Sequence, residues 1–400
     1  MQLITQGVTL KNVLIPLFFA VGILNASETR TADDYLFKAF PALKEHVGYV
    51  SLGTFPTPVQ KLEKLGSMVG HPNLYIKKDN ESGALYGGNK VRKLEFLFGD
   101  ALAHGAKGVL TVGYAGSNHT CATAMYAHEV GLRCMCMHIP QIPTAYSRRN
   151  ILLSMAYGAE LHLYATWAQR EIAIHARNKI FHKETGTLLY DIPSGGSNEI
   201  GALGFVNAIY ELKEQIAQGV MPEPDYIYVA IGSVGTAAGL RLGVEVAGLK
   251  STVVPVCIEP ELFEGEHVLK LSSMIRITSE VLHRNDPSFP VVDIKPTDIP
   301  INYNFIGKGY AYISQPAHTA IHMFRTAEGV KLDGTYTGKA CAAMLSDLVC
   351  GKLNGKTVLF WDSFCDRDYS EVTDKLDYHQ LPQAYHHYFE CALQPDDEGL

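Results

Sequence analysis

From about residue 100 onward, short apolar runs alternate with longer amphipathic stretches. Val109-Leu-Thr-Val-Gly113 is followed by a helical pattern from about Asn118 to Val130, and that by Arg133-Cys-Met-Cys-Met-His-Ile139. A second helical stretch begins near Ala145 and leads to Leu161-His-Leu-Tyr-Ala165. Parallel neighbours need a crossover, so strand, helix, strand repetition predicts a parallel sheet covered by helices. A second series predicts a second sheet: Tyr226–Ile231, a helix starting at Thr236, Val253–Ile258 and Val358–Trp361. Two sheets imply two lobes, with the turn-rich Asp191-Ile-Pro-Ser-Gly-Gly-Ser197 as the return between them. The stretch from about Pro260 to Pro300 is assigned to helix and loop of the second lobe.

The bulk numbers fit this picture. Four hundred residues, 47% hydrophobic and 19% charged, describe a globular chain long enough for two domains. A net charge of -7 and no basic run argue against a nucleic-acid partner. At the N-terminus, Lys11 precedes Val13–Leu24, an apolar stretch shorter than the roughly 20 residues of a membrane span. Ala26 and Ser27 follow, which suits a secretory signal over residues 1–30, removed to leave no membrane span. An amphipathic or buried N-terminal helix is the plainer alternative, and Pro16 and the weak positive charge favour it. The expected location is periplasmic or secreted if the signal is real, and cytoplasmic otherwise. Eight scattered cysteines read as buried thiols rather than a disulfide framework, and Cys134-Met-Cys136 as packing rather than a metal site.

Three turns could carry chemistry. Tyr86-Gly-Gly-Asn-Lys90 opens an amphipathic helix with a lysine, with Arg92 and Lys93 near enough in sequence to lower its pKa. Gly232-Ser-Val-Gly-Thr236 joins a strand to a helix, the context in which bare N–H groups and a helix dipole hold a phosphate. Gly116-Ser-Asn-His119 is a third such turn, with Ser117 or Asn118 as helix cap and His119 as a surface or packed ring. Each alone has a bland reading as an ordinary turn. His379, His386 and His387 read as part of a solvated terminal helix.

Taken together and in order, these segments resemble the D-cysteine desulfhydrase and 1-aminocyclopropane-1-carboxylate deaminase family of fold-type-II pyridoxal phosphate enzymes. The resemblance runs from about Gly53 to Leu345. It includes Phe55–Pro58, Ile76–Asp79, Gly87–Glu95, Ser117–His119, Ser194–Asn198, Gly232–Thr236 and Thr335–Lys339. It implies a two-lobed α/β fold like the tryptophan synthase β chain, with parallel-rich sheets. Residues 31–92 and 206–380 would form the large cofactor-binding domain, 93–205 the small domain and 381–400 a tail. It also implies a homodimer and a small amino acid as substrate.

By the same resemblance, pyridoxal 5'-phosphate sits as a Schiff base on Lys90. Gly232, Ser233, Val234, Gly235 and Thr236 hold its phosphate with help from Lys93, and Asn118 bonds its phenolic oxygen. Ser117 stands near the substrate carboxylate and α-carbon as a candidate nucleophile or proton carrier, and Tyr310 and Tyr336 face the substrate, these three with Lys90 forming the catalytic set. Thr337 takes the position next to the pyridine nitrogen that deaminases fill with Glu. A neutral hydroxyl there makes a weaker electron sink, which favours β-elimination over opening a cyclopropane. His119 points the same way, because the deaminases have Gln at that position. The expected reaction is D-cysteine to pyruvate, sulfide and ammonia. Deamination of 1-aminocyclopropane-1-carboxylate to 2-oxobutanoate is the alternative. A non-catalytic cofactor-binding protein is a third reading, because Trp361-Asp-Ser-Phe-Cys365 replaces the family's Thr-Gly-Gly stretch with side chains able to close the pocket.

Overall fold

The computed structural model describes residues 35–263, 265–394 and 397. The proposed signal segment lies outside them. Two sheets form, as the alternation predicts. The smaller comprises β3 (Gly108–Tyr114), β4 (Arg133–Ile139), β5 (Glu160–Leu163) and β6 (Tyr190–Ile192), all parallel, in the order β5-β4-β3-β6. The larger is built from β1 (Val59–Lys61), β2 (Leu74–Lys78), β7 (Tyr226–Ile231), β8 (Thr252–Cys257) and β9 (Val358–Asp362), in the order β1-β2-β9-β7-β8. Only β1 runs antiparallel to its neighbour.

The hydrophobic pattern does not reveal β1, β2 and β6. β1 and β6 are three residues long, too short for a period to register. β2 contains Lys77, which reads as polar but is fully buried and ion-paired with Glu211. The same cluster takes Arg92, which bonds Asp79 and Glu211 at 2.8 Å each. These contacts tie β2 to two helices, Lys90–Ala103 and Glu199–Ala217. The stretch after Pro260 resolves into the helix Glu266–Asn285.

The C-terminal expectations need correcting. Residues 378–390 do not form one solvated helix but three short turns, Tyr378–Gln380, Gln383–Tyr385 and His387–Glu390. Pro382 interrupts them, since a proline disfavours helical backbone in the residue before it. Tyr385 and Tyr388 are fully buried. With Cys365, Tyr369 and Leu381 they join the hydrophobic cluster of the small sheet and the Lys90–Ala103 helix. The segment after β9 therefore packs across to the small sheet instead of staying with the large lobe up to residue 380. Among the described residues, no helix is long and apolar enough to cross a membrane.

Candidate active site

Tyr114 ends β3 and Ile231 ends β7, so the carboxyl ends of strands from both sheets open on one space, where open α/β sheets bind their ligands. A cavity of about 840 Å³ lies there. Lys90, Ser117, Asn118, Gly232, Ser233, Val234, Thr236, Tyr310 and Tyr336 all line it, so residues spread over some 250 positions of sequence share one wall. Lys93, Gly235 and Thr337 stand behind the surface.

Lys90 is the first residue of its helix, and its amine makes no hydrogen bond to a described residue. Burial lowers its pKa to about 8. Arg92 plays no part in this, because its guanidinium points into the cluster with Asp79 and Glu211. The expectation that Arg92 tunes Lys90 is thus corrected: a cation held between two carboxylates projects little field. Lys93 donates to Gly195 O at 3.0 Å and Ser197 Oγ at 3.1 Å. Burial, with the Lys90 charge beside it, holds its pKa well below the usual lysine range.

The Gly232–Thr236 turn, the candidate phosphate site, joins β7 to a helix at the cavity wall. Val234 caps the helix Gly235–Ala247 from the left-handed region, at φ 57°. A β-branched residue is strained there, and such strain persists where the surroundings impose it, often at ligand sites. A helix start carries N–H groups without intrahelical partners; here the Gly235 N–H is taken up by Ser233 O at 2.8 Å and Ser197 Oγ at 3.2 Å. A Cβ added to Gly235 would come within 2.5 Å of Ser197 Oγ and 3.0 Å of Lys93 Nζ. The buried Lys93 amine therefore lies just behind the turn, with no carboxylate at ion-pair distance among the described residues.

On the opposite wall, Asn118 Oδ1 accepts from Tyr86 Oη at 3.0 Å and from Asn150 Nδ2 at 2.8 Å. Two donors on the oxygen fix the amide orientation and leave its N–H₂ to donate into the cavity. Ser117 caps the helix Asn118–Glu129, its Oγ accepting from His119 N and Thr120 N, so its own hydrogen is available to a ligand. His119 is a packed ring, its Nε2 3.0 Å from Thr111 Oγ1, with its pKa held well below the usual range by burial and then by Lys90 and Lys93. Tyr336 Oη donates to Tyr310 Oη at 2.9 Å, and burial pushes both hydroxyls well up.

Thr337 is placed differently from the expectation. Its hydroxyl donates to Asp333 Oδ1 at 2.6 Å and accepts from Asp333 N at 2.8 Å, and the residue is buried away from the cavity. Asp333 itself lines the cavity. The pocket-closing side chains are also relocated. Trp361 is fully buried in the core and donates from Nε1 to Asp79 Oδ2 at 2.7 Å, while Cys365 Sγ accepts from Gly87 N at 3.2 Å. Of that stretch only Ser363 and Phe364 face the cavity, which stays open.

Sequence reasoning missed Tyr114, Asp333 and Ser363. Tyr114 stacks on Tyr310 with ring centroids 4.1 Å apart. Its signal was available, since the last residue of a parallel strand points toward the crevice at the carboxyl ends. Ser363 follows β9 in the same way.

A buried amine with its pKa lowered to about 8, a strained strand-to-helix turn backed by a buried lysine, and an oriented amide thus meet at one cavity. The family model described as pyridoxal-phosphate dependent enzyme matches residues 50–363, and the chain belongs to that family. Pyridoxal phosphate is its cofactor, and the residues present fit it. Among curated relatives, a putative 1-aminocyclopropane-1-carboxylate deaminase of Thermotoga maritima is 33% identical over 307 residues, covering 74% of this chain and 90% of its own length. A D-cysteine desulfhydrase of Klebsiella pneumoniae is 30% identical over 298 residues, covering 73% of this chain and 86% of its own length. The crystal structure of an ACC deaminase homologue superposes with a TM-score of 0.69 at 32% identity, over 81% of this chain and 94% of the other. The chain is thus an enzyme of the deaminase and desulfhydrase group, with the two-lobed, parallel-rich fold its sequence implied.

Proposed function

We propose that this enzyme catalyses β-elimination from a small amino acid, with D-cysteine giving pyruvate, sulfide and ammonia. Bound in the cavity, pyridoxal phosphate supplies the electron sink for charge left at the substrate's α-carbon. In this reading Lys90 Nζ tethers the cofactor and takes the α proton, for which a pKa near 8 is well matched. The Gly232–Thr236 amides and Lys93 hold the phosphate, and the Asn118 amide donates to the phenolic oxygen. The Ser117 hydroxyl and the helix start behind it orient the substrate carboxylate. The paired hydroxyls of Tyr310 and Tyr336, kept protonated by burial, offer a proton to the departing sulfur.

The observation that favours elimination over ring opening is the state of Asp333. It is the acid facing the cavity from the start of the helix Thr337–Val349, yet its oxygens accept from Thr335 N, Tyr336 N, Thr337 N and Thr337 Oγ1. A carboxylate whose oxygens already accept these four bonds has little acceptor capacity left for a pyridine N–H, and Thr337 brings no second carboxylate. Deamination of 1-aminocyclopropane-1-carboxylate is the second reading, favoured by the names of several relatives. The test measures sulfide released from D-cysteine against 2-oxobutanoate formed from the cyclopropane. Sulfide release with no 2-oxobutanoate supports the proposal, the reverse supports the alternative, and inactivity on both defeats the two together.

A further inference from the structure

The family match ends at residue 363, but the following residues reach three of the loops that build the cavity. The turn into Lys90 is the first. Cys365 Sγ accepts from Gly87 N, Tyr369 Oη donates to Leu85 O at 3.0 Å, and the Tyr369 ring stacks on Tyr86 at 6.0 Å. The second is the turn carrying Ser117. Gln141 N donates to Tyr388 Oη at 3.0 Å, and Gln141 Oε1 accepts from Gly116 N at 2.9 Å. The third carries Tyr310. Gln394 Nε2 donates to Ala311 O at 2.9 Å, and Gln394 Oε1 accepts from Ile313 N at 3.3 Å.

The third contact is the most informative. Ala311 follows Tyr310 directly, is fully buried and has φ 63°. A residue with a Cβ disfavours that left-handed conformation, which persists only where neighbouring groups hold it. One amide side chain supplies both a donor and an acceptor to this turn, and it comes from a segment outside the family match.

We propose that residues 365–394 form a clasp that sets the loops around the cavity, and that Gln394 is a positioning residue for Tyr310. This rests on the reading of Tyr310 as substrate-facing. The clasp also explains why Tyr385 and Tyr388 are buried in the hydrophobic cluster of the small sheet: they anchor the segment to the small lobe, with Tyr385 Oη 2.8 Å from His138 Nδ1. Gln394 then links that lobe to a loop of the other.

The test compares the full-length, cofactor-loaded enzyme with Gln394→Ala and Gln394→Glu. The second variant keeps an acceptor for Ile313 but loses the N–H for Ala311. Both are expected to speed amide hydrogen exchange at Ala311–Ile313 by about tenfold while β7 keeps its protection. The visible absorbance of the lysine-bound cofactor stays unchanged, and kcat falls by about tenfold, as expected when a reacting group is slightly misplaced. In a Tyr310→Phe background the same substitutions change kcat little further. Unaltered exchange at Ala311–Ile313 in both variants, or an equal loss of kcat with and without Tyr310, overturns the proposal. Should the wild type turn over neither amino acid, the proposed reaction fails and the exchange measurement alone decides the clasp.

Discussion

The pKa of the Lys90 amine is lowered by burial rather than by a neighbouring cation. A lysine whose pKa falls from 10.5 to about 8 has its neutral, nucleophilic form populated near physiological pH. Below pH 8 the free-amine fraction falls about tenfold per unit. The rate at which apoprotein captures pyridoxal phosphate, followed by visible absorbance, is therefore expected to climb from pH 6 to 8 and level off above. Lys90→Ala removes the band altogether. The sign for stability is opposite to that of a stabilising pair. Between pH 8 and 10.5 the folded state binds fewer protons than the unfolded one, so the cost of burying Lys90 is greatest below pH 8 and fades as pH rises. The lysine and its turn were legible in the sequence. That Arg92 faces away and that Thr337 is bonded to Asp333 were not, because side-chain direction depends on partners distant in sequence.

The helix Gly235–Ala247 illustrates what an element needs beyond its pattern. In the proposed function its start holds the cofactor phosphate, so the helix must sit at a fixed depth against Glu199–Ala217. Gly239 sets that depth: a Cβ there would lie 2.4 Å from Ala202 O and 2.5 Å from Phe205 Cβ. Backbone cannot give way as a side-chain end can. Gly239→Ala is expected to destabilise the protein by about 1–3 kcal/mol, read as a lower midpoint in chemical denaturation, and to weaken cofactor affinity by shifting the helix start. The strand β7, this helix and the turn between them were predicted within a residue or two, because a buried strand and an amphipathic helix carry strong periods. Three strands were not, since two are too short to show a period and the third hides a buried lysine.

At the scale of the molecule, the buried cluster of Lys77, Asp79, Arg92 and Glu211 joins β2 of the large sheet to the helix that begins at Lys90. Although burial opposes its ionisation, Arg92 and Lys77 bring the Glu211 carboxyl down to about 2. Its folded pKa lies below the unfolded value near 4.5. Its stabilisation is therefore present above pH 4.5 and is lost as pH falls toward 2. Glu211→Gln leaves two buried cations short of a counter-charge and is expected to cost about 3–5 kcal/mol, measured by chemical denaturation at pH 7. The cost should shrink on acidification, as the wild type loses the same interaction.

The sequence by itself determined the alternation of strand and helix, the two lobes, and the order of turns that marks the cofactor family. All three depend on local period and on backbone demands that glycine, serine and threonine answer within a few residues. Tertiary structure alone decided that Trp361 fills the core and leaves the cavity open, and that Asp333 rather than Thr337 faces it. It also decided that the segment after β9 returns to brace the loops around Lys90, Ser117 and Tyr310. Those outcomes depend on contacts between residues hundreds of positions apart, whose geometry no local pattern encodes.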